Sequence, residues 1–377
     1  MRLALSALIA LHGLIHILGF LKWSGLAEVP QLSGWTLWAL PGPGRSIFSV
    51  LWLAVALLLS AAAALRWGGG DAWSGPALNG VALSQLLIVL AWKDAKFGTI
   101  ANLIVLLPAL AASGHARFSS AKDLEIQELL QTAAPSPRAR VTLLDLQALP
   151  EPVARWLQRS GVIGRERVRS VRLKQRGELR TSPEGAWMPT EAEQYFVVDE
   201  PAFVWTVDAR MGGVIPIVGR DRYAAGRGHM LVKVASLYNV VDAGDEKIAR
   251  GAMLRFLGEI VWFPSAALSQ YLEWNEVDDH SAQATMRHAG LTTSAVFHFD
   301  ALGRVVSLTA ERYLGGGPEA KLTPWFVACS AWHTVEGIEV PVKGDVRWKL
   351  PGGEFSYYRW EVVDINYDRP ELYARDR

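Results

Sequence analysis

Leu3-Ala4-Leu5-Ser6-Ala7-Leu8-Ile9-Ala10-Leu11-His12-Gly13-Leu14-Ile15-His16-Ile17-Leu18-Gly19-Phe20-Leu21 runs for nineteen residues without a charge. A bilayer core of about 30 Å takes about 20 apolar residues as a helix, so this stretch reads as a membrane span. Three further apolar segments follow, at Ile47–Leu65, Leu78–Trp92 and Phe97–Ala112. The third is short and needs Ala77 and Lys93 at its margins, and the fourth carries Pro108. Lys93-Asp94-Ala95-Lys96 between them predicts a tight polar turn and an antiparallel helical hairpin. Trp23, Trp35, Trp38, Trp67, Trp73 and Trp92 fall at the expected ends, where amphipathic indoles prefer to sit. The first run is too long for the apolar part of a signal peptide, and Gly19-Phe20-Leu21-Lys22 offers no small-x-small cleavage site. A retained helix is expected.

Charge divides the chain at the same place. Lys and Arg number seven up to Phe118 and 31 beyond it; Asp and Glu number three and 34. Neither part has the basic excess of a nucleic-acid binder, so no nucleic-acid partner is expected. The single cysteine, Cys329, can form no intramolecular disulfide. Four spans would place both termini on one side. Arg2, Arg66, Arg117 and Lys122 would then face Lys22, Arg45, Lys93 and Lys96. That tie gives no orientation by the excess of cytoplasmic positive charge.

The expected organisation is a four-helix transmembrane domain over 1–114, a linker over 115–147, a soluble domain over 148–368 and a tail over 369–377. In the linker, Asp123 to Gln131 predicts a short surface helix, and Ala133-Ala134-Pro135-Ser136-Pro137-Arg138-Ala139-Arg140 is rich in breakers. Pro150 to Ser160 reads as a helix stopped by Gly161. After Gly164 the pattern becomes strand-like. From Arg169 to Leu179 the residues Val171, Leu173 and Leu179 alternate with Arg172, Lys174, Arg176 and Arg180 just beyond, giving a strand with one wet, basic face. Gln194 to Val198 with Ala202 to Val207, and Ala295 to Phe299 with Arg304 to Ala310, read as hairpins. Phe326 to Val335, Val340 to Leu350 and Glu354 to Ile365 read as a meander, and such local connections favour antiparallel pairing. Asp245 to Val261 reads as a long helix capped by Asp245 and closed by Pro264. The fold class expected is thus an α-helical membrane domain plus an α+β domain, a large curved antiparallel sheet wrapped on one helix as a half-barrel.

Catalytic patterns are sparse. No G-x-S-x-G elbow, P-loop, H-E-x-x-H or C-x-x-C occurs, so no cofactor is expected and the reading leans away from an enzyme. Gly212-Gly213 and Gly226-Arg227-Gly228 read as turns or bulges. His12 and His16 share a helical face with Gly19 behind them, and Gln85 and Asn102 are the polar residues of the third and fourth segments. The pair is either a ligand set for metal or haem, a proton path, or two neutral imidazoles bonding across helices. Arg255 and Glu259 are four apart. They form either an outward ion pair, which the reading favours, or a grip on a polar head group. Asp278-Asp279-His280 reads as an acidic turn rather than a cation site, and His298 and His333 as strand imidazoles. The aromatic residues of the last strands line either a core or an apolar pocket. Taking the pocket, the candidate ligand-binding residues are Arg255, Phe256, Glu259, Trp262, Trp325, Trp332, Trp348, Tyr358 and Trp360, and the candidate metal residues are His12 and His16.

Several motifs resemble an uncharacterised bacterial membrane-protein family. They are Leu11-His12-Gly13-Leu14-Ile15-His16-Ile17-Leu18-Gly19-Phe20, Trp92-Lys93-Asp94-Ala95-Lys96-Phe97-Gly98-Thr99-Ile100-Ala101-Asn102, Leu149-Pro150-Glu151-Pro152-Val153, Arg255-Phe256-Leu257-Gly258-Glu259, Trp262-Phe263-Pro264 and Phe297-His298-Phe299-Asp300. The resemblance covers nearly the whole chain. The head is also similar to DoxX-like membrane proteins, and the strand meander with its helix resembles the half-barrel of outer-membrane lipoprotein carriers. That resemblance implies a concave apolar site for acyl chains, in a tethered rather than a shuttling domain. The expected function is a membrane-anchored binding protein for a lipid or other amphiphile, with the bilayer and that ligand as partners. It is expected in the bacterial inner membrane, leaning toward an extracytoplasmic domain. The alternatives are a redox or metal protein built on His12 and His16, and a structural subunit of a membrane complex.

Overall fold

The computed structural model describes residues 2–133 and 139–374. Part of the breaker-rich linker and the end of the C-terminal tail lie outside the described residues. The chain forms two compact units, Met1–Ser119 and Ser120–Arg377.

Unit 1 is helical: α1 (Arg2–Ser24), α2 (Gly42–Trp67), α3 (Ser74–Leu90), the single turn α4 (Trp92–Ala95) and the start of α5 (Gly98–Gln131). Leu3–Ser24, Gly42–Trp67 and Gly98–Gln131 are long and apolar enough to cross a membrane; Ser74–Leu90 is apolar but shorter. The predicted polar turn at Lys93 is the helical turn α4. α1 packs along α2 because glycines leave room: a Cβ on Gly19 would stand 2.4 Å from the Trp52 ring. α5 does not stop at Ala112. The residues from Ser113 to Ala121 hold no proline, and the expected surface helix at Asp123 is the last part of this one helix.

Unit 2 is a 13-stranded sheet of neighbouring antiparallel strands, with spatial order β6-β5-β4-β3-β2-β1-β13-β12-β11-β10-β9-β8-β7. The strands are β1 (Ser170–Leu179), β2 (Met188–Val197), β3 (Ala202–Met211), β4 (Ile215–Ala224), β5 (Arg227–Val234), β6 (Tyr238–Ala243), β7 (Leu272–Asp278), β8 (Ser281–His288), β9 (Leu291–Phe299), β10 (Val305–Tyr313), β11 (Leu322–Val335), β12 (Ile338–Leu350) and β13 (Gly353–Tyr367). The chain meanders from the centre at β1 to the edge at β6. It then crosses on the helix α7 (Glu246–Glu259) to the other edge at β7 and returns to β13 beside β1. Sequence reading finds eight of these strands and leaves β4 to β8 unassigned.

α7 forces the sheet to curl. It touches β4 and β5 on one side and β8, β9 and β10 on the other. β5 and β9 are nine places apart in the strand order, about 43 Å in a flat sheet at about 4.8 Å per strand. A helix about 10 Å across meets both only if the sheet wraps it. The wrap is tight on the β5 side, where a Cβ on Gly228 would lie 2.6 Å from the Ala249 Cα. Tyr223 Oη on β4 and His288 Nδ1 on β8 hydrogen-bond across the gap at 2.8 Å. Asp245 caps α7, accepting from the Ile248 amide at 3.0 Å.

Two more helices cover the sheet. α6 (Glu151–Ser160) ends at Gly161, whose φ of 80° suits a residue without a Cβ. Its Trp156 packs against Trp274, Phe297 and Phe299. The end of α5 lays Ile126, Leu129 and Leu130 on Tyr195, Val197, Ala202 and Val204, the outward residues of β2 and β3. The outer face of β1 is therefore not simply wet. Arg172 is buried beneath the Tyr373 ring and pairs with Glu371 at 3.3 Å.

Candidate functional site

Between the curled sheet and the C-terminal half of α7 lies a cavity of about 460 Å³, within the range of small-molecule sites. Strand alternation builds it. β3 supplies Trp205, Val207, Ala209 and Met211; β5 supplies Met230, Val232 and Val234; β11 supplies Trp325, Val327 and Cys329. Gly258 of α7 faces the space, with Val261 and Trp262 just beyond the helix. Met211 at the end of β3 and Val240 at the bulge of the edge strand β6 both line the cavity and are exposed, so the apolar wall continues to the surface. Burial pushes the Cys329 thiol up to about 12, which keeps it protonated and inert.

One charged cluster sits in this wall. Arg255 Nε donates to Glu259 Oε1 at 2.7 Å, and Arg255 Nη1 to Asp221 Oδ2 at 3.0 Å. Gln194 donates to Glu259 at 2.6 Å and accepts from Arg255 at 3.3 Å. The guanidinium stacks 4.5 Å from the Trp205 ring centre. The expectation of an outward Arg255–Glu259 pair is therefore corrected: the two side chains are only 15% and 13% exposed. Helical spacing brings such residues together without saying which way they face, and the inward Asp221 and Gln194 turn this pair inward. Burial opposes the Arg255 charge, but Glu259 and Asp221 outweigh it and hold its pKa above the ordinary value. Burial lifts the Glu259 carboxyl above the usual range, and Arg255 and Gln194 offset this only in part. Beside the cluster, Gln175 Oε1 accepts from Trp205 Nε1 at 3.2 Å and from Tyr358 Oη at 3.3 Å.

The other candidate residues divide. Trp262, Trp325, Tyr358 and Trp360 line the cavity, with Trp262 edge-on to Trp360 at 5.1 Å. Phe256 lies elsewhere, fully buried among Phe196, Phe263 and Tyr271. Trp332 is half-buried with Arg304 5.2 Å over its ring. Trp348 lines a more open groove of about 650 Å³ and stacks on Tyr357 at 5.9 Å. Sequence reading missed Asp221, Gln194, Gln175, Trp205 and Arg312. The available signal was a polar residue at an inward position: Gln175 follows Val171 and Leu173 at period two, and Arg312 follows Leu308 and Ala310.

In unit 1, His12 Nε2 bonds Asn102 Oδ1 at 2.8 Å, Asn102 donates to Gln85 at 3.0 Å, and Gln85 donates to Thr99 at 3.2 Å. His16 Nδ1 lies 2.8 Å from the His12 carbonyl, which can only accept. A neutral His16 therefore keeps its lone pair on Nε2, where the Ser84 hydroxyl donates at 2.8 Å. Both nitrogens of His16 are thus engaged without a metal. A cavity of about 340 Å³ adjoins the two rings. Among the described residues no group of three or more His, Cys, Asp or Glu is placed to hold a metal ion. Asp278 accepts from the His280 amide at 2.8 Å in the β7–β8 turn.

No curated protein sequence matches the chain. Solved structures with partial likeness include a putative outer membrane lipoprotein-sorting protein domain from Vibrio parahaemolyticus. It shares 9% identity over 60% of this chain and 92% of its own, with a TM-score of 0.31. A DUF1329 family protein from Desulfovibrio piger shares 10% identity over 58% and 91%, with a TM-score of 0.34. A LolA superfamily protein from Nitrosomonas europaea shares 11% over 56% and 90%, with a TM-score of 0.31. Residues 139–360 match the model of a family of unknown function, DUF6544, and the chain belongs to that family.

Proposed function

We propose that the protein is anchored in a bilayer by unit 1 and holds a lipid or other amphiphile in the cavity of unit 2. The observation that carries this reading is the 460 Å³ apolar space beneath α7, whose wall continues to exposed residues of β3 and β6. A close-packed core of this size would ordinarily leave no such void.

Anchoring is supported by the inverted polarity of unit 1. Leu11, Leu57 and Leu107 are 62%, 63% and 67% exposed, whereas Ser84, His16 and Asn102 are 0%, 2% and 2% exposed. Aliphatic surface outside and satisfied polar groups inside is the arrangement a bilayer selects. In this reading Ser74–Leu90 is a fourth, short span. The membrane is the bacterial inner membrane, which takes helical spans, with unit 2 on its extracytoplasmic side.

Blocking the cavity tests the reading. The atoms nearest to a Cβ at Gly258 belong to Trp325 and Leu308, at 3.7 Å and beyond, and Gly258 lines the cavity, so a longer side chain there grows into the space. Full-length Gly258→Leu in nanodiscs is expected to lose uptake of labelled dodecanol while unfolding at a similar temperature. Undiminished uptake would place the ligand elsewhere.

A further inference from the structure

The Arg255 charge is matched by two carboxylates, so it offers nothing to an anionic head group. Arg312 differs. It points inward from β10 and borders both the apolar cavity and the open groove. Its guanidinium stands 5.2 Å from the Trp325 ring and 5.7 Å from the Trp348 ring. Nε donates to the Gly251 carbonyl and Nη1 to Tyr357 Oη, each at 3.3 Å. A guanidinium has five N–H donors, so most remain. Among the described residues it is ion-paired to no carboxylate; of the other charged residues that line the groove, Glu311 and Lys349 are exposed and the two arginines are matched. Arg250 pairs with Glu246, and Arg347 with Asp345 and Glu354.

Tyr357 adds a second, independent observation. Its oxygen accepts from Arg312 and also from Trp325 Nε1 at 3.2 Å, so its own hydrogen is directed elsewhere. No acceptor for that hydrogen is present among the described residues. A half-buried cation stacked on tryptophans, beside a hydroxyl with a proton to give, suits an oxyanion.

We propose that Arg312 and Tyr357 form the head-group end of the ligand site and select an acidic amphiphile. Its apolar body fills the cavity, and its carboxylate or phosphate monoester meets Arg312 at the edge of the groove. This rests on the cavity reading above. The test uses the full chain in phosphatidylcholine nanodiscs, with empty discs subtracted, and radiolabelled dodecanoate, dodecyl phosphate and dodecanol. One or both acids are expected to bind about tenfold more tightly than the alcohol, the worth of a charge-assisted hydrogen bond. The acid that does so identifies the head group. Arg312→Gln is expected to erase the preference of acid over alcohol. Equal binding of acids and alcohol by the wild type, or a preference kept in Arg312→Gln, overturns the proposal and leaves the cavity reading standing. Uptake of none of the three overturns the cavity reading itself, and this proposal with it. If Arg312→Gln does not fold, Tyr357→Phe decides, with a preference reduced about threefold expected and an unchanged one contradicting.

Discussion

The two units differ in the polar groups they bury. Unit 1 encloses the neutral His12, His16, Ser84 and Asn102 beside its apolar core and turns leucines outward; unit 2 encloses Phe196, Phe203, Phe256 and Phe263 together with ionic groups, the Arg255 cluster among them. A hydrogen-bonded chain in unit 1 and a salt-bridge cluster in unit 2 obey one rule, that a buried polar group needs its partner. What differs is the worth of the partner. In unit 2 the alternative to the folded cluster is water, which solvates charge strongly. In a bilayer the alternative is hydrocarbon, where a separated helix finds other partners.

That difference is sharpest in the Arg255 cluster. Arg255→Met would leave Asp221 and Glu259 buried without a cation, at a cost of about 3–5 kcal/mol. Denaturant unfolding followed by near-ultraviolet signals of unit 2 reads the loss, and a variant as stable as the wild type would show that the cluster is hydrated. The matching cut in unit 1 is smaller. Asn102→Leu breaks the His12–Asn102–Gln85 chain and is expected to cost about 0.6–1.7 kcal/mol, read by unfolding in mixed micelles. A loss as large as that in unit 2 would break the contrast.

The smallest effect is in pH dependence, where two glutamates of unit 2 differ in sign. Burial raises Glu259, so its carboxyl keeps its proton to a higher pH in the fold than in the unfolded chain. Its contribution is full below the unfolded value of about 4.3 and is lost as pH rises through the folded value. The hydrogen bond from Arg304, with Arg159, lowers Glu339. That contribution is present above about 4.3 and is lost as pH falls through the folded value. Glu259→Gln is therefore expected to flatten the stability profile on its rising-pH side, and Glu339→Gln to flatten it on the acid side. Identical profiles in the two variants would contradict these signs.

Local pattern carried part of this architecture. Asp245 before Ile248, Ala252 and Phe256 announces α7, and the last three strands follow from alternation with Pro351-Gly352 at the turn. β4 was obscure because Arg220-Asp221-Arg222 breaks its apolar run. Two of these charges pair with residues distant in sequence, Arg220 with Glu125 and Asp221 with Arg255. The same distance hid the direction of Arg255 and the role of Arg312, since facing is set by the curl of the sheet. Ser113 to Ala121 looked like a linker because its polarity rises, although it holds no proline and its one glycine, Gly114, does not stop the helix.

The central claim is that the cavity beneath α7 is filled by an amphiphile, and photo-crosslinking tests it most directly. Full-length protein in nanodiscs would be irradiated with a trace of dodecanol bearing a terminal diazirine, and the labelled peptides mapped. Labels on β3, β5 and β11, at Val207, Met230 or Val327, with their loss in Gly258→Leu, are the predicted result. Labels confined to outward-facing residues of unit 1, such as Leu57 and Leu107, would contradict it.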